Sequence, residues 1–302
     1  LESSNDIAMR EILEAQKMEA NKQFGRFIEK NYPDWFESNQ APVMSHTLFK
    51  SKIADELSTS QPTLLIVIDN LRYDQWKVLE PTVNSYYKIK EESLYYSILP
   101  TATQYARNAL FSGLMPNEMQ NLFPQYWKND TDEGGKNLFE AEFLEAQLKR
   151  LGLSHLKHEY IKITNLKAGQ KLSETFKTKV HNDLTVLVYN FVDMLSHAKT
   201  EMEVLKELAS NDKGYRSLTK SWFQNSPLLE IIQQAKELNF KLIITTDHGT
   251  INVKNPSKVI GNKDTSLNLR YKTGRSLSYD EKDVLAVKDP KSIHLPSVAM
   301  NS

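Results

Sequence analysis

The chain has 302 residues, enough for one large domain and an appendage, with ample length to bury a core. Lysine plus arginine equals aspartate plus glutamate at 38 each, so no global field attracts nucleic acid or a membrane surface, and any basic patch must be local. With no cysteine, disulfides and thiolate metal sites are excluded and any metal must use oxygen and nitrogen ligands, a composition that fits a cytosolic protein. No run approaches the ~18 apolar residues of a membrane span, and no signal peptide is visible. Leu1 at the first position, rather than Met, suggests a fragment.

Residues 6–30 are rich in Ala, Glu, Lys, Met and Gln, with apolar positions at Ile7, Ile12, Leu13, Met18, Phe24 and Phe27. This predicts a helix, one member of a bundle. Asn31-Tyr32-Pro33 ends it, because the residue before proline resists helical geometry. A second helix is predicted over 45–58, leading to Ser58-Thr59-Ser60-Gln61-Pro62. The domain boundary is therefore placed near residue 59, with 1–58 a helical segment (the tail of a bundle or linker) and 59–302 the main domain. The pattern then predicts strand 63–69, helix 72–84, short strand 94–98, helix 103–112 and an insertion-like stretch 114–136. Helix 138–151, a short strand near 159–163, strand 184–192, a helical region 198–237 and strand 240–246 follow. Such alternation predicts an α/β fold, a three-layer sandwich on a mostly parallel central sheet. After Gly249 the chain turns polar and loses periodicity, and neither repeats nor low-complexity tracts are visible.

Three apolar runs end on acidic residues. Leu64 to Ile68 leads into Asp69, Val186 to Val192 into Asp193 with His197 four residues on, and Leu242 to Thr246 into Asp247-His248-Gly249. Runs of branched aliphatics read as buried parallel strands. Ligands of open α/β sheets bind beyond the carboxyl ends of such strands, so these five polar residues should converge on one rim. Carboxylates and imidazoles gathered there point to a pair of divalent cations. Each piece also has a plainer reading: Asp69 as a helix cap, Asp193 as a helix start, Asp247 to Gly249 as a polar turn. Their joint occurrence favours the metal centre. The fourth element, Leu99 to Gly113, reads as strand, turn and then a helix beginning near Thr103. A hydroxyl there sits beside free backbone donors and a positive dipole end, where it can hold a phosphate, act as a nucleophile, or simply cap the helix.

In order, these pieces resemble the alkaline phosphatase superfamily, and within it the PglZ branch found at the end of PorX-type response regulators. The resemblance rests on residues 68–76, 99–108, Asp193 with His197, Asp247-His248-Gly249 and residues 268–275, and covers roughly 60–290. It implies that Asp69, Thr103, Asp247 and His248 hold one metal while Asp193 and His197, with a later histidine, hold the other. The superfamily's nucleotide phosphodiesterases place a glycine ten residues after the nucleophile, and Gly113 is ten after Thr103, which selects Thr103 with Thr101 in reserve. The later histidine is expected in a His-Gly-Gly segment, which this chain lacks. Either His294 substitutes or, the favoured expectation, the chain stops short of the true ligand. Oxygen and nitrogen donors favour zinc, with manganese left open.

The resemblance implies hydrolysis of nucleotide phosphodiesters, oligonucleotides or cyclic nucleotides, through a phosphothreonine at Thr103. Arg270, Lys272 and Arg275 form a local cationic cluster beside Tyr271 that could contact phosphates while a base stacks, or stand as a solvated loop. Arg107 and Asn108, one turn into the nucleophile helix, are candidate phosphoryl contacts, and Asn121 is another. The alternatives are a phosphomonoesterase of the same superfamily and a non-catalytic docking effector. PorX-type resemblance also implies an upstream receiver domain that this chain does not include, protein partners in signalling, and a link to type IX protein secretion. A homodimer is left open.

Overall fold

A computed structural model describes residues 6–253, 255–263 and 265–296. In chain order its elements are α1 (Ile7–Asn31), α2 (Ser45–Leu48), β1 (Thr63–Ile68), α3 (Tyr73–Val83), α4 (Thr103–Ser112), α5 (Pro116–Leu122), α6 (Glu140–Arg150) and β2 (His158–Ile163). Then follow α7 (Leu166–Thr175), β3 (Leu184–Tyr189), α8 (Phe191–Glu201), α9 (Glu203–Leu208), α10 (Asp212–Gln224), α11 (Pro227–Glu237) and β4 (Lys241–Thr245). The strands form one parallel sheet in the order β2-β3-β1-β4, with Ile68 paired to Tyr189 and Val67 to Thr245. No helix among the described residues is long and apolar enough to cross a membrane.

The side-chain period of two assigns each strand residue to a layer. Leu65 and Val67 of β1, with Leu184, Val186 and Val188 of β3, pack against Leu48, Phe49, Ala109, Leu110, Met119 and Phe143. Leu64, Ile66 and Ile68, with Leu187 and Tyr189, face Leu79, Leu172, Phe223, Leu228, Ile231 and Ile232 on the other side. Strands covered on both faces must be apolar throughout, and every residue of β1 and β3 is buried. All four strands run the same way, so everything that leaves β1, β3 and β4 leaves along one edge.

Helix α4 is buried from Gln104 to Ser112. It stops at Gly113, whose φ of 63° is the left-handed conformation that glycine adopts without strain. Gln147 of α6 crowds that glycine, leaving no space for a side chain, and donates to the carbonyls of Leu110 and Phe111 at 3.0 and 2.9 Å. Gly113 thus has a packing reason of its own.

Four elements differ from the sequence expectation. Residues 45–58 form only the short α2, then a π turn and a 3-10 turn, and bury Leu48, Phe49 and Ile53 in the core of the sheet. Residues 94–98 are not a strand: Tyr96 makes a single bridge to Met44, and its ring packs on Trp35 at 4.6 Å. Strand β3 ends at Tyr189, so Asp193 lies in the first turn of α8. The long helical region begins at Phe191 and breaks into α8 to α11, with Asn211 capping α10 through Gly214 N at 2.9 Å and Pro227 opening α11. Helix α1 buries none of its residues, and touches the domain where Phe24 and Phe27 lie 6.3 Å from the Tyr96 ring.

Leu65 is fully buried in the central strand. Leu65→Ala is expected to cost about 2–5 kcal/mol in urea unfolding, against under about 0.5 kcal/mol for the exposed Leu269→Ala.

Candidate active site at the strand ends

The turn after β1 is held from both neighbouring strands. Asp69 N donates to Tyr189 O at 3.0 Å beside β3, and Leu71 N donates to Thr246 Oγ1 at 3.0 Å beyond β4. Between them Asn70 takes a φ of 62°, and its amide donates to Asp247 Oδ1 at 3.1 Å. The His248 amide donates to the same oxygen at 2.9 Å. The carbonyl of Asp247 is fixed in turn, accepting from Tyr95 and Ser97 hydroxyls at 3.1 Å each. Arg72, three residues past Asp69, donates to Asp74 and to Asp212 of α10 at 2.8 and 2.9 Å, tying this turn to the helical layer.

These constraints bring Asp69, Asp247 and His248 together, all buried, with ligating atoms within 4.8 Å of one another. The hydroxyl of Thr103 joins them. It lies 2.9 Å from His248 Nε2 and 3.5 Å from Asp69 Oδ1. Thr103 is the first residue of α4, and Ala102 is the N-cap, so this hydroxyl is not occupied in capping the helix. The amides of Thr103 and Gln104 have no acceptor among the described residues and point out of the helix N-terminus.

Each carboxylate has one oxygen engaged and one directed at the cluster. Asp69 Oδ2 accepts from Arg107 at 2.7 Å, leaving Oδ1 toward His248 Nε2 at 3.7 Å. Asp247 Oδ1 takes the two backbone donors, and Oδ2 is buried without a hydrogen-bond partner, 3.8 Å from His248 Nε2. Tetrahedral zinc with bonds of ~2.0–2.1 Å sets its ligand atoms about 3.3 Å apart, close to these separations. An orphaned carboxylate oxygen, a second carboxylate, an imidazole and a hydroxyl therefore fit one divalent cation, with His248 Nδ1 turned away from the cluster, 3.2 Å from both Gly249 O and the Arg270 guanidinium.

Arg107 is buried and donates to Asp69 and Glu140, with Asp247 Oδ2 at 3.7 Å. Sequence reasoning gave it a phosphoryl contact, whereas the structure turns it inward, onto three carboxylates. Burial opposes its charge, but Glu140, Asp247 and Asp69 outweigh burial and keep the guanidinium protonated. Burial also raises the two metal-site carboxyls, yet they end apart. Burial and the neighbouring Asp247 push Asp69 up to about 8, against the pull of Arg107. Asp247 sits below its ordinary value, because His248, Arg107 and its backbone donors overcome its burial.

The other expected residues are placed as follows. Asp193 borders the cluster, accepting from Asn70 Nδ2 at 3.3 Å, and His197 Nε2 lies 3.5 Å from Asp193 Oδ2 on the exposed side of α8. The His294 ring meets Phe36 at a tilt, 4.5 Å between centroids, and its carbonyl accepts from Asn117, on the side of α5 rather than beside Asp193. Asn108 donates to Lys136 O at 3.1 Å and accepts from Asn137 inside the protein. Asn121 is exposed on α5 and bonds no site residue among those described. Arg270 reaches the site, donating to Thr101 O with His248 Nδ1 at 3.2 Å. Lys272 donates to Ser266 O at 3.0 Å, and Arg275 is exposed. Thr101 contributes its carbonyl to Arg270. Sequence reasoning missed Asn70 and Glu140. Asn70 follows Asp69 directly and was within reach, but nothing local marks Glu140.

Residues 48–299 match the family described as the BREX system PglZ alkaline phosphatase-like domain. The chain belongs to the PglZ family. Residues 1–36 match the PorX response regulator linker domain, so an alkaline phosphatase-like domain follows a response-regulator linker here. No curated protein matches the chain. The parallel sheet between helical layers agrees with the PglZ assignment, and the Asp69/Asp247/His248 group is its metal-capable cluster among the described residues.

Two outcomes follow from the charges of the PglZ site. A carboxyl whose folded pKa exceeds its unfolded value favours the metal-free fold fully below the unfolded value, and that contribution is lost as pH rises through about 8 for Asp69. The thermal midpoint of chelator-treated protein is expected to fall between about pH 5 and about pH 8.5, and added zinc to reduce the fall by displacing the proton. A flat profile would contradict the Asp69 assignment. Arg107→Met takes the guanidinium from Asp69 and Asp247 and leaves Glu140 only Lys162, and should cost about 3–5 kcal/mol in chelator-treated protein by urea unfolding, with zinc recovering part.

Proposed function

We propose that this domain hydrolyses nucleotide phosphodiesters, with Thr103 as nucleophile, as the output of a response regulator whose signalling bears on protein secretion. The observation that carries this reading is the Thr103 hydroxyl, which caps no helix and instead bonds two of the three cluster residues within 3.5 Å. The PorX linker match supports the regulatory setting.

Asp69, Thr103, Asp247 and His248 would hold one divalent cation, with Asp193 and His197 contributing to a second. Bound cations of this kind supply charge neutralisation at the phosphoryl group and lower the pKa of a coordinated hydroxyl or water. The protein contributes the rest. Asp69 Oδ1 and His248 Nε2 hold Thr103 Oγ1 at the cluster. The free amides of Thr103 and Gln104 sit where phosphoryl oxygens would lie, along the α4 dipole. Thr103 Oγ1 forms a bond to phosphorus as one ester oxygen leaves and takes up a proton. Water then displaces Thr103 Oγ1 from phosphorus, and the proton it loses restores the threonine hydroxyl. Two in-line displacements retain configuration at phosphorus. Arg270, already at the Thr101 carbonyl, is placed to meet a phosphoryl oxygen, with Lys272 and Arg275 further along the same loop.

Zinc-loaded protein is expected to turn over bis-p-nitrophenyl phosphate in preference to p-nitrophenyl phosphate. Thr103→Ala should remove more than about a thousandfold of that rate even at zinc concentrations that saturate the three remaining ligands. Turnover confined to the monoester would replace this reading by a phosphomonoesterase. Signalling undiminished in Thr103→Ala cells would replace it by a docking effector.

A further inference from the structure

Asp130 lies in the loop between α5 and α6, on no motif and in no ion pair among the described residues. Its carboxylate nevertheless accepts three hydroxyl donors from two distant segments. Tyr271 donates to Oδ1 at 2.9 Å, while Tyr105 and Thr273 each donate to Oδ2 at 3.1 Å. Tyr105 belongs to α4, two residues after Thr103, and its ring meets that of Tyr271 edge-on at 5.6 Å. Burial, reinforced by the Asp130 charge, raises the pKa of both phenols, so both remain donors.

Tyr271 and Thr273 sit on a loop that closes on itself. Ser266 N donates to Thr273 O at 2.9 Å, and Thr273 N to Ser266 Oγ at 2.8 Å. This loop carries Arg270 to the Thr101 carbonyl and His248 Nδ1. Between it and the start of α4 runs a groove of about 470 Å³, lined in part by Gln104, Asp130, Lys263, Asn268 and Tyr271. Leu267 and Leu269, 91% and 98% exposed, contribute little packing to hold the loop. Apart from the Tyr271 ring, which packs on the core and on Tyr105, its attachment to the nucleophile helix depends on polar bonds, and those to a carboxylate are the strong ones.

We propose that Asp130 is a positioning residue that clamps the 266–273 loop to the nucleophile helix, fixing Arg270 at the site and shaping the groove that takes one ester substituent of the phosphodiester. The clamp stands on geometry alone, whereas its kinetic consequence rests on the phosphodiesterase reading. An asparagine at 130 could keep one oxygen acceptor and would restore the clamp only in part.

Limited trypsin digestion of the full chain tests the clamp directly. In Asp130→Ala, cleavage after Arg270 and Lys272 is expected to quicken about tenfold, the loss of roughly one charge-assisted bond, while the thermal midpoint changes little. Tyr271→Phe keeps the ring and removes one donor, so it should give a smaller increase even where Asp130→Ala fails to fold. With bis-p-nitrophenyl phosphate, Asp130→Ala should raise KM about tenfold with kcat changed less than about threefold. Asp130→Asn should recover part of this. The Asp130→Ala/Arg270→Ala double variant should lose less than the sum of the single losses, because part of the Asp130 effect passes through the Arg270 guanidinium. An unaltered digestion pattern in both Asp130→Ala and Tyr271→Phe, or additive kinetic losses, would overturn the proposal. A wild-type protein inactive on diesters would sink the phosphodiesterase reading, and the digestion would still decide the clamp.

Discussion

Arg107 sits in the interior between Asp69, Glu140 and Asp247, and without it three carboxylates would share a desolvated space. Buried charge of that density persists only where each group has a partner. Glu140 also accepts from Lys162 at 3.0 Å, so a second cation reaches the network from the edge strand. By occupying Asp69 Oδ2, the guanidinium turns the remaining oxygen toward His248 and Thr103, and so does more than neutralise. The backbone performs the same service for Asp247. A cluster able to take a cation is thereby prepared before any cation arrives.

The sheet makes that preparation achievable. Two flat-sided cores grip β1 and β3 on both faces, so the turn after β1 cannot shift without disturbing packed aliphatics. Helix α4 is equally constrained, buried along its length and closed at Gly113 by Gln147. The Thr103 hydroxyl stands where one rigid element ends and another begins. Membership of the PglZ family and a PorX linker then place this site downstream of a response-regulator segment.

Continuous aliphatic runs announced β1, β3 and β4, because only strands covered on both sides need them, and the polar residues that follow mark the rim. Position 193 lies beside the cluster but on a helix rather than at a strand end, since the apolar residues Phe191 and Val192 belong to α8 and not to the strand before it. Tyr95 and Tyr96 look like strand residues, but their rings are used on Trp35 and on carbonyls of the β4 turn. Local pattern cannot distinguish those uses. Arg107 was legible as important but not as inward-facing, because its direction depends on Glu140, thirty-three positions away in the chain. Asp130 carries no local signal either, as its partners come from two distant segments.

The attachment of α1 has a mechanical implication. Phe24 and Phe27 rest on Tyr96, while the residues on either side of Tyr96 grip the main chain of Asp247. A rotation or slide of that helix has purchase on the Tyr96 and Trp35 rings, and from Tyr96 the path to Asp247 is two residues long. The linker thus joins the domain through shared packing, Tyr32 within the core and Ile28 against it, as well as through these rings.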